Sequence, residues 1–283
     1  MKYLIFMFFI SIYSLFSDCE EYSFSVFPHE VEINKNSFFI IESSPKYSNL
    51  FKLLKEQKHK FVLVSKKDTI ELKMKEFIEV GRRLTQSYFE PTRKLKFGDN
   101  YNISILYNNI ESISLLENIN FFKDTYKNKN WRVTKKQENI KPIWVTKPKL
   151  IEKIYAVAGC GDIRYLSYKY IIWEYSEYVI KTYLKDKKNN KIFNFYLFPN
   201  SKNLFKIGTY MCYGEFDFLK EQQSFEVWFE IIDLNRNITE WKGSPINFTK
   251  PDKDDLYNFP VPPSDLIYPL KNHHIIKNTE IYK

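Results

Sequence analysis

Hydrophobic and polar residues alternate with a period of two over most of this chain, the pattern of half-buried β-strands. Glu21 to Phe27 puts Tyr22, Phe24 and Val26 on one face, and Phe38 to Ile41 is a short continuous apolar run. Lys60 to Ser65, Thr69 to Met74 and Asn100 to Tyr107 are further strand candidates. Later, Ile151 to Cys160 aligns Ile154, Ala156, Ala158 and Cys160, and Tyr168 to Tyr175 carries Trp173. Tyr178 to Leu184 and Lys191 to Phe198 follow, separated by an Asn189-Asn190 turn. Ser224 to Ile232 alternates most clearly, with Phe225, Val227 and Phe229 opposite Glu226, Trp228 and Glu230. One helix is expected, around Ser48 to Gln57, where Leu50, Phe51, Leu53 and Leu54 recur at helical spacing. Ile113 to Lys123 fits helix or strand equally.

Breaks in this pattern divide the chain. Lys123 to Lys141 is polar and charge-rich, an edge strand and linker, with a boundary near Ile140-Lys141-Pro142. From Pro251 the chain loses its alternation and gains Pro260, Pro262 and Pro263, which reads as an extended tail. At the other end, Lys2 precedes an apolar run from Tyr3 to Phe16, a small Ser17 and the acidic Asp18-Cys19-Glu20-Glu21, the order of a secretory signal peptide. The run is shorter than the roughly 20 residues of a membrane span. A lipid-bearing Cys19 would need a small residue where Asp18 stands. The expected organisation is therefore a signal peptide (1–17), two strand-built domains (18–140 and 141–250) and a tail (251–283).

Composition sharpens this picture. With 21 Tyr and 25 Phe against seven Gly and three Cys, the core must be chiefly hydrophobic rather than cross-linked. The formal charge of +9 is spread through both halves among Asp and Glu, without a block of like charges, so a solvated surface is expected rather than a nucleic-acid groove.

Cys160, Trp173 thirteen places on, and Gly208-Thr209-Tyr210-Met211-Cys212 together resemble the B-to-F segment of an immunoglobulin-like domain. Glu90-Pro91, then Leu95 to Ile103 with Gly98 and Tyr101, is similar to the proline, the leucine-and-glycine turn and the tyrosine-led strand of fibronectin-type-III-like modules. Asp233 to Asn237 resembles their late polar hairpin. The resemblance implies two tandem immunoglobulin-like β-sandwiches, a Cys160 to Cys212 disulfide, and Trp173 and Tyr210 as core residues beside it. Such a bridge, closing about 50 residues, would contribute about 4 kcal/mol. Lys206 departs from the family, which often has an acid six places before the second cysteine. Cys19 is left to be free, paired with either other cysteine, or linked to another chain.

Sequence signals of catalysis are sparse. The chain has no Gly-x-Ser-x-Gly, His-Glu-x-x-His, phosphate-cradling glycine loop or paired-cysteine zinc spacing. Its four histidines, His29, His59, His273 and His274, read as surface residues, and the carboxylate pairs Glu215/Asp217 and Glu226/Glu230 as solubilising. The sequons at Asn102, Asn237 and Asn247 match what chance gives in so Asn-rich a chain. No cofactor or metal is expected. Trp131 and Trp228 read as outward or edge aromatics able to contact a ligand. The expectation is an exported, non-enzymatic binding or structural protein with a protein or cell-surface partner. Behind it stand a carbohydrate-binding protein using exposed aromatics and, further back, an exported hydrolase with facing carboxylates between its domains.

Overall fold

The computed structural model describes residues 24–43, 59–81, 84–107, 110–111, 130–135, 140–158, 161–174, 176–199, 203–209, 214–218 and 223–255. Among these the regular structure is all β apart from one 3-10 turn at Lys253–Asp255. The expected helix near residue 50, the ambiguous segment from Ile113, and Cys19, Cys160, Tyr210 and Cys212 lie outside the described residues.

The first half holds β1 (Phe24–Phe27), β2 (Glu32–Ile33), β3 (Phe39–Ser43), β4 (His59–Val64), β5 (Thr69–Val80), β6 (Leu84–Pro91), β7 (Asn100–Tyr107), β8 (Ile110–Glu111) and β9 (Trp131–Val133). They run β1-β3-β6-β5-β4-β7-β9-β2, with β8 beside β7. The two ends of that path are consecutive in sequence: β1 pairs antiparallel with β3, and β2 pairs parallel with β9. A cis Phe27-Pro28 peptide lies between them. β5 extends well beyond the expected Met74, because its first residues pair with β4 and the rest with β6. Tyr101, at the start of β7, is fully buried, and its hydroxyl accepts a hydrogen bond from the Lys96 amide at 3.2 Å. Leu95 is buried beside this corner, and Gly98 supplies the positive φ (82°) that its turn requires.

The second half holds β10 (Ile143–Ala158), β11 (Gly161–Trp173), β12 (Tyr178–Asp186), β13 (Ile192–Leu197), β14 (Leu204–Thr209), β15 (Ser224–Asp233), β16 (Ile238–Glu240) and β17 (Ile246–Thr249). A three-stranded sheet, β10-β11-β14, faces a five-stranded sheet, β13-β12-β15-β16, with β17 also on β15. Tyr168 and Phe205 from the first meet Phe229 of the second at ring separations of 5.6 and 4.9 Å. β15 keeps its expected alternation, with Phe225, Val227 and Phe229 buried. The Asn189-Asn190 turn forms as expected, with Asn190 at φ 59°, a conformation asparagine tolerates. At the next hairpin Asp233 accepts from the Asn237 backbone and side chain, both at 2.8 Å. Buried residues of both halves form one continuous hydrophobic cluster.

Candidate binding surface and the junction that orients it

β10 and β11 are long, so their alternation runs past the edge of the core and leaves an apolar outer face. Ile143 lies directly opposite Trp173, and the next pair, Trp144 and Ile172, turns inward. Trp144 meets Tyr170 and Trp241 edge-on at 6.2 and 6.1 Å. A register shift between Trp144 and Thr146 adds Val145 to the outer side. Ile143, Val145, Ile171 and Trp173 are 51, 58, 42 and 43% exposed. Trp173, expected in the core, is therefore a surface residue. The interior space is taken by Tyr168, Tyr170, Phe205 and Phe229, and the strand's alternation turns Trp173 away from them.

Of the other two singled-out tryptophans, Trp131 differs from expectation and Trp228 does not. Trp131 is fully buried, donates from Nε1 to the Pro28 carbonyl at 3.1 Å, and packs edge-on to Phe39. It is a core residue, because β9 lies between β7 and β2 rather than at an edge. Trp228 does face outward on β15, but it lies flat on Tyr183 of β12, with ring centroids 5.5 Å apart and planes 6° apart. The Tyr183 hydroxyl in turn donates to Glu230 at 2.8 Å. Cys160 follows the first strand of the second half and Cys212 the fifth; the flanking strands β10, β11 and β14 all belong to one sheet.

Polar residues that sequence reasoning passed over join the two halves. Gln86 on β6 is fully buried: its Oε1 accepts from the Tyr196 amide, and its Nε2 donates to the Tyr196 carbonyl, both at 2.8 Å. Nε2 also donates to Glu42 at 2.7 Å. Glu76 on β5 accepts from the Tyr196 hydroxyl at 2.5 Å, Lys181 at 3.0 Å and Asn194 at 3.1 Å. Tyr88 stacks on Tyr196 at 5.9 Å. Nearby, Glu177 accepts from the His29 and Glu30 amides at 2.8 and 2.9 Å and lies 2.9 Å from His29 Nδ1. Phe198 stacks on Phe27, and Arg236 pairs with Glu90 at 3.0 Å.

Electrostatics within this junction pull in two directions. Burial pushes Glu177 up, but the hydrogen bond and charge of His29, with the two backbone amides, outweigh it and hold the carboxyl below its ordinary value. Glu42 and Glu215 keep a strip of accessible surface yet lie deep among protein atoms. Burial raises Glu42, offset only in part by Gln86 and by the charge of His29. Burial, then the charge of Glu42, push Glu215 up to about 8 against its backbone amide and Lys206. Burial and Glu76 likewise raise the Tyr196 phenol.

A separate cleft of about 670 Å³ in the second half is lined by Tyr155, Arg164, Asp217, Lys250 and Asp252 among others. Arg164 is fixed in it by lying over the Tyr155 ring and pairing with Asp162 at 2.6 Å. Among the described residues no group of three His, Cys, Asp or Glu is placed to hold a metal ion, and no helix is long and apolar enough to cross a membrane.

No family model and no curated protein matches the chain. Among solved structures it is similar to the pullulanase of Anoxybacillus sp. LM18-11, at 10% identity and a TM-score of 0.22, over 75% of this chain and 24% of that one. It is also similar to the type I pullulanase of Bacillus subtilis str. 168 complexed with maltose, at 9% identity and a TM-score of 0.23, over 80% of this chain and 24% of that one. The chain thus spans about a quarter of either enzyme, and likeness at this level carries no argument about fold or activity.

Proposed function

We propose that this is an exported, non-enzymatic binding protein of two immunoglobulin-like sandwiches that recognises a protein partner at the cell surface through the outer face of β10 and β11. Strand order supports the family reading. In the first half β1-β3-β6-β5 and β4-β7-β9 follow the order of immunoglobulin sheets, and the Tyr101 hydroxyl closes the tyrosine corner of such domains. In the second half three strands face β13-β12-β15-β16, a related sandwich arrangement.

The observation that carries the binding role is the pairing of half-exposed Trp173 with Ile143, flanked by Val145 and Ile171, on a sheet whose other face is anchored in the core. A tryptophan among aliphatic residues on a rigid strand pair has the composition of an interface hot spot. The test uses the chain without residues 1–17 as bait for cell-surface extract, beside Trp173→Ser and Ile143→Lys variants of unchanged thermal midpoint. Loss of a specific captured protein in both variants supports the reading; undiminished capture by both overturns it.

A saccharide ligand is the second reading, favoured by the cleft in which Tyr155 and Arg164 lie among carboxylates and lysines. Glycan-array binding abolished by Arg164→Ala, with protein capture absent, would replace the first reading with this one.

A further inference from the structure

Ser25, His29 and Glu177 are joined in a row that the binding role does not use. Ser25 Oγ lies 3.4 Å from His29 Nε2, and the other ring nitrogen, Nδ1, lies 2.9 Å from Glu177 Oε1. The serine stands on β1, the histidine four residues later, and the glutamate 148 residues further on, just before β12, so both halves contribute. Hydroxyl, imidazole and carboxylate in this order are the constellation of an activated serine, which is recognised by geometry and not by sequence position. We propose that Ser25 is a reactive nucleophile that takes up an acyl group from an activated ester, with His29 as its base and Glu177 as the residue that positions the ring.

Each contact has a defined direction. Glu177 is held below its ordinary value, so near neutral pH it is ionised and only accepts. In the neutral ring the proton therefore sits on Nδ1, which leaves the lone pair of Nε2 to the Ser25 hydroxyl. The carboxylate is itself fixed, because its two oxygens also accept from the His29 and Glu30 amides. The imidazole packs edge-on against Phe27 and Phe198, at 5.9 and 5.4 Å. A tie between the halves needs only Glu177 and its donors; the contact from Nε2 to Ser25 is additional to it. Ser25 is half-buried on the end strand of its sheet path, and Glu42, opposite it in the register, is engaged by Gln86. A separation of 3.4 Å is longer than that of a working base and is common before a substrate draws the groups together.

The step is a single acyl transfer. Ser25 Oγ attacks the carbonyl carbon of the ester as its proton passes to His29 Nε2. The bond to the leaving alcohol then breaks, and the departing alkoxide takes that proton. The products are a Ser25 ester, a free alcohol and a neutral imidazole. One such event per chain is a modification and not a turnover. It uses none of the residues on the outer face of β10 and β11, so it stands or falls independently of what that face binds.

Treating the full chain with 4-nitrophenyl acetate and mapping the acetylated peptides by mass spectrometry tests this. Ser25 is expected to be acetylated at least about 100-fold faster than the exposed Ser244 between β16 and β17, the margin that a positioned base supplies. Ser25→Ala should abolish the signal, and His29→Gln, in a folded chain, should lower it to the Ser244 level. For Glu177 the readout is the ring itself: nitrogen-15 NMR is expected to show the Nδ1–H tautomer of neutral His29 in the wild-type chain and its loss in Glu177→Gln. Acetylation of Ser25 no faster than that of Ser244 overturns the proposal, as does undiminished labelling in a folded His29→Gln chain. Should the variants fail to fold, the wild-type chain decides, since slow labelling of Ser25 or an Nε2–H tautomer of His29 also overturns it. Nitrophenolate release that depends on Ser25 and continues past one equivalent per chain upholds the nucleophile and overturns the non-enzymatic part of the functional reading.

Discussion

Gln86 occupies the place of a missing strand beside Tyr196. Its side-chain amide exchanges two 2.8 Å hydrogen bonds with the Tyr196 backbone, just as a neighbouring strand residue would. β13 ends its sheet, so the outward N–H and C=O of Tyr196 would otherwise be buried without partners. One side chain of the first half thus completes the edge of the second, and it fixes register as well as proximity.

Gln86→Leu is expected to leave the Tyr196 amide and carbonyl, and the Glu42 carboxyl, without that partner, at a cost of about 3 kcal/mol. Gln86→Glu should cost more, because a carboxyl oxygen in place of Nε2 then faces both Glu42 and the Tyr196 carbonyl. Urea midpoints for both variants check this; a loss below about 0.5 kcal/mol in each would remove Gln86 from the junction's stability.

The two tryptophans exchange their expected roles, and truncation separates them. Trp131→Ala empties a fully buried site and removes the hydrogen bond to the Pro28 carbonyl, so a loss of about 3 to 5 kcal/mol is expected. Trp173→Ala, at a site 43% exposed, should cost under about 1 kcal/mol. Thermal or denaturant unfolding of the two variants side by side gives the comparison.

Sequence pattern reached the regular parts of this fold because a strand with one buried face must alternate. β15 and the hairpin at Asn190 follow directly from Phe225-Glu226-Val227-Trp228 and from Asn189-Asn190. Leu95, Gly98 and Tyr101 marked a corner that the Lys96 amide closes. β9 was disguised, since three residues in a charged stretch give little periodicity, and its burial comes from neighbours far along the chain. The first residues of β10 were hidden by Thr146, Lys147 and Pro148. Gln86 and Tyr196, 110 residues apart, carry no local sign of each other, and the same holds for His29 with Glu177.

The His29 contact predicts an acid limit to stability. Glu177 titrates below its ordinary 4.5 in the docked form, so its contribution is full above 4.5 and is lost as pH falls through the lowered value. Glu177→Gln should therefore flatten the acid limb of a midpoint-versus-pH curve. An acid limb unchanged by this substitution would assign that limb to other carboxylates.

The central claim, that the outer face of β10 and β11 is the binding surface, is tested most directly by placing a photo-crosslinking residue at Ile143 and, as a control, at the exposed Lys188 in the turn between β12 and β13. Irradiation on the surface of the producing cells is expected to give a discrete protein adduct from position 143 and none from position 188. An adduct from position 188 alone, or from neither position, would contradict the claim.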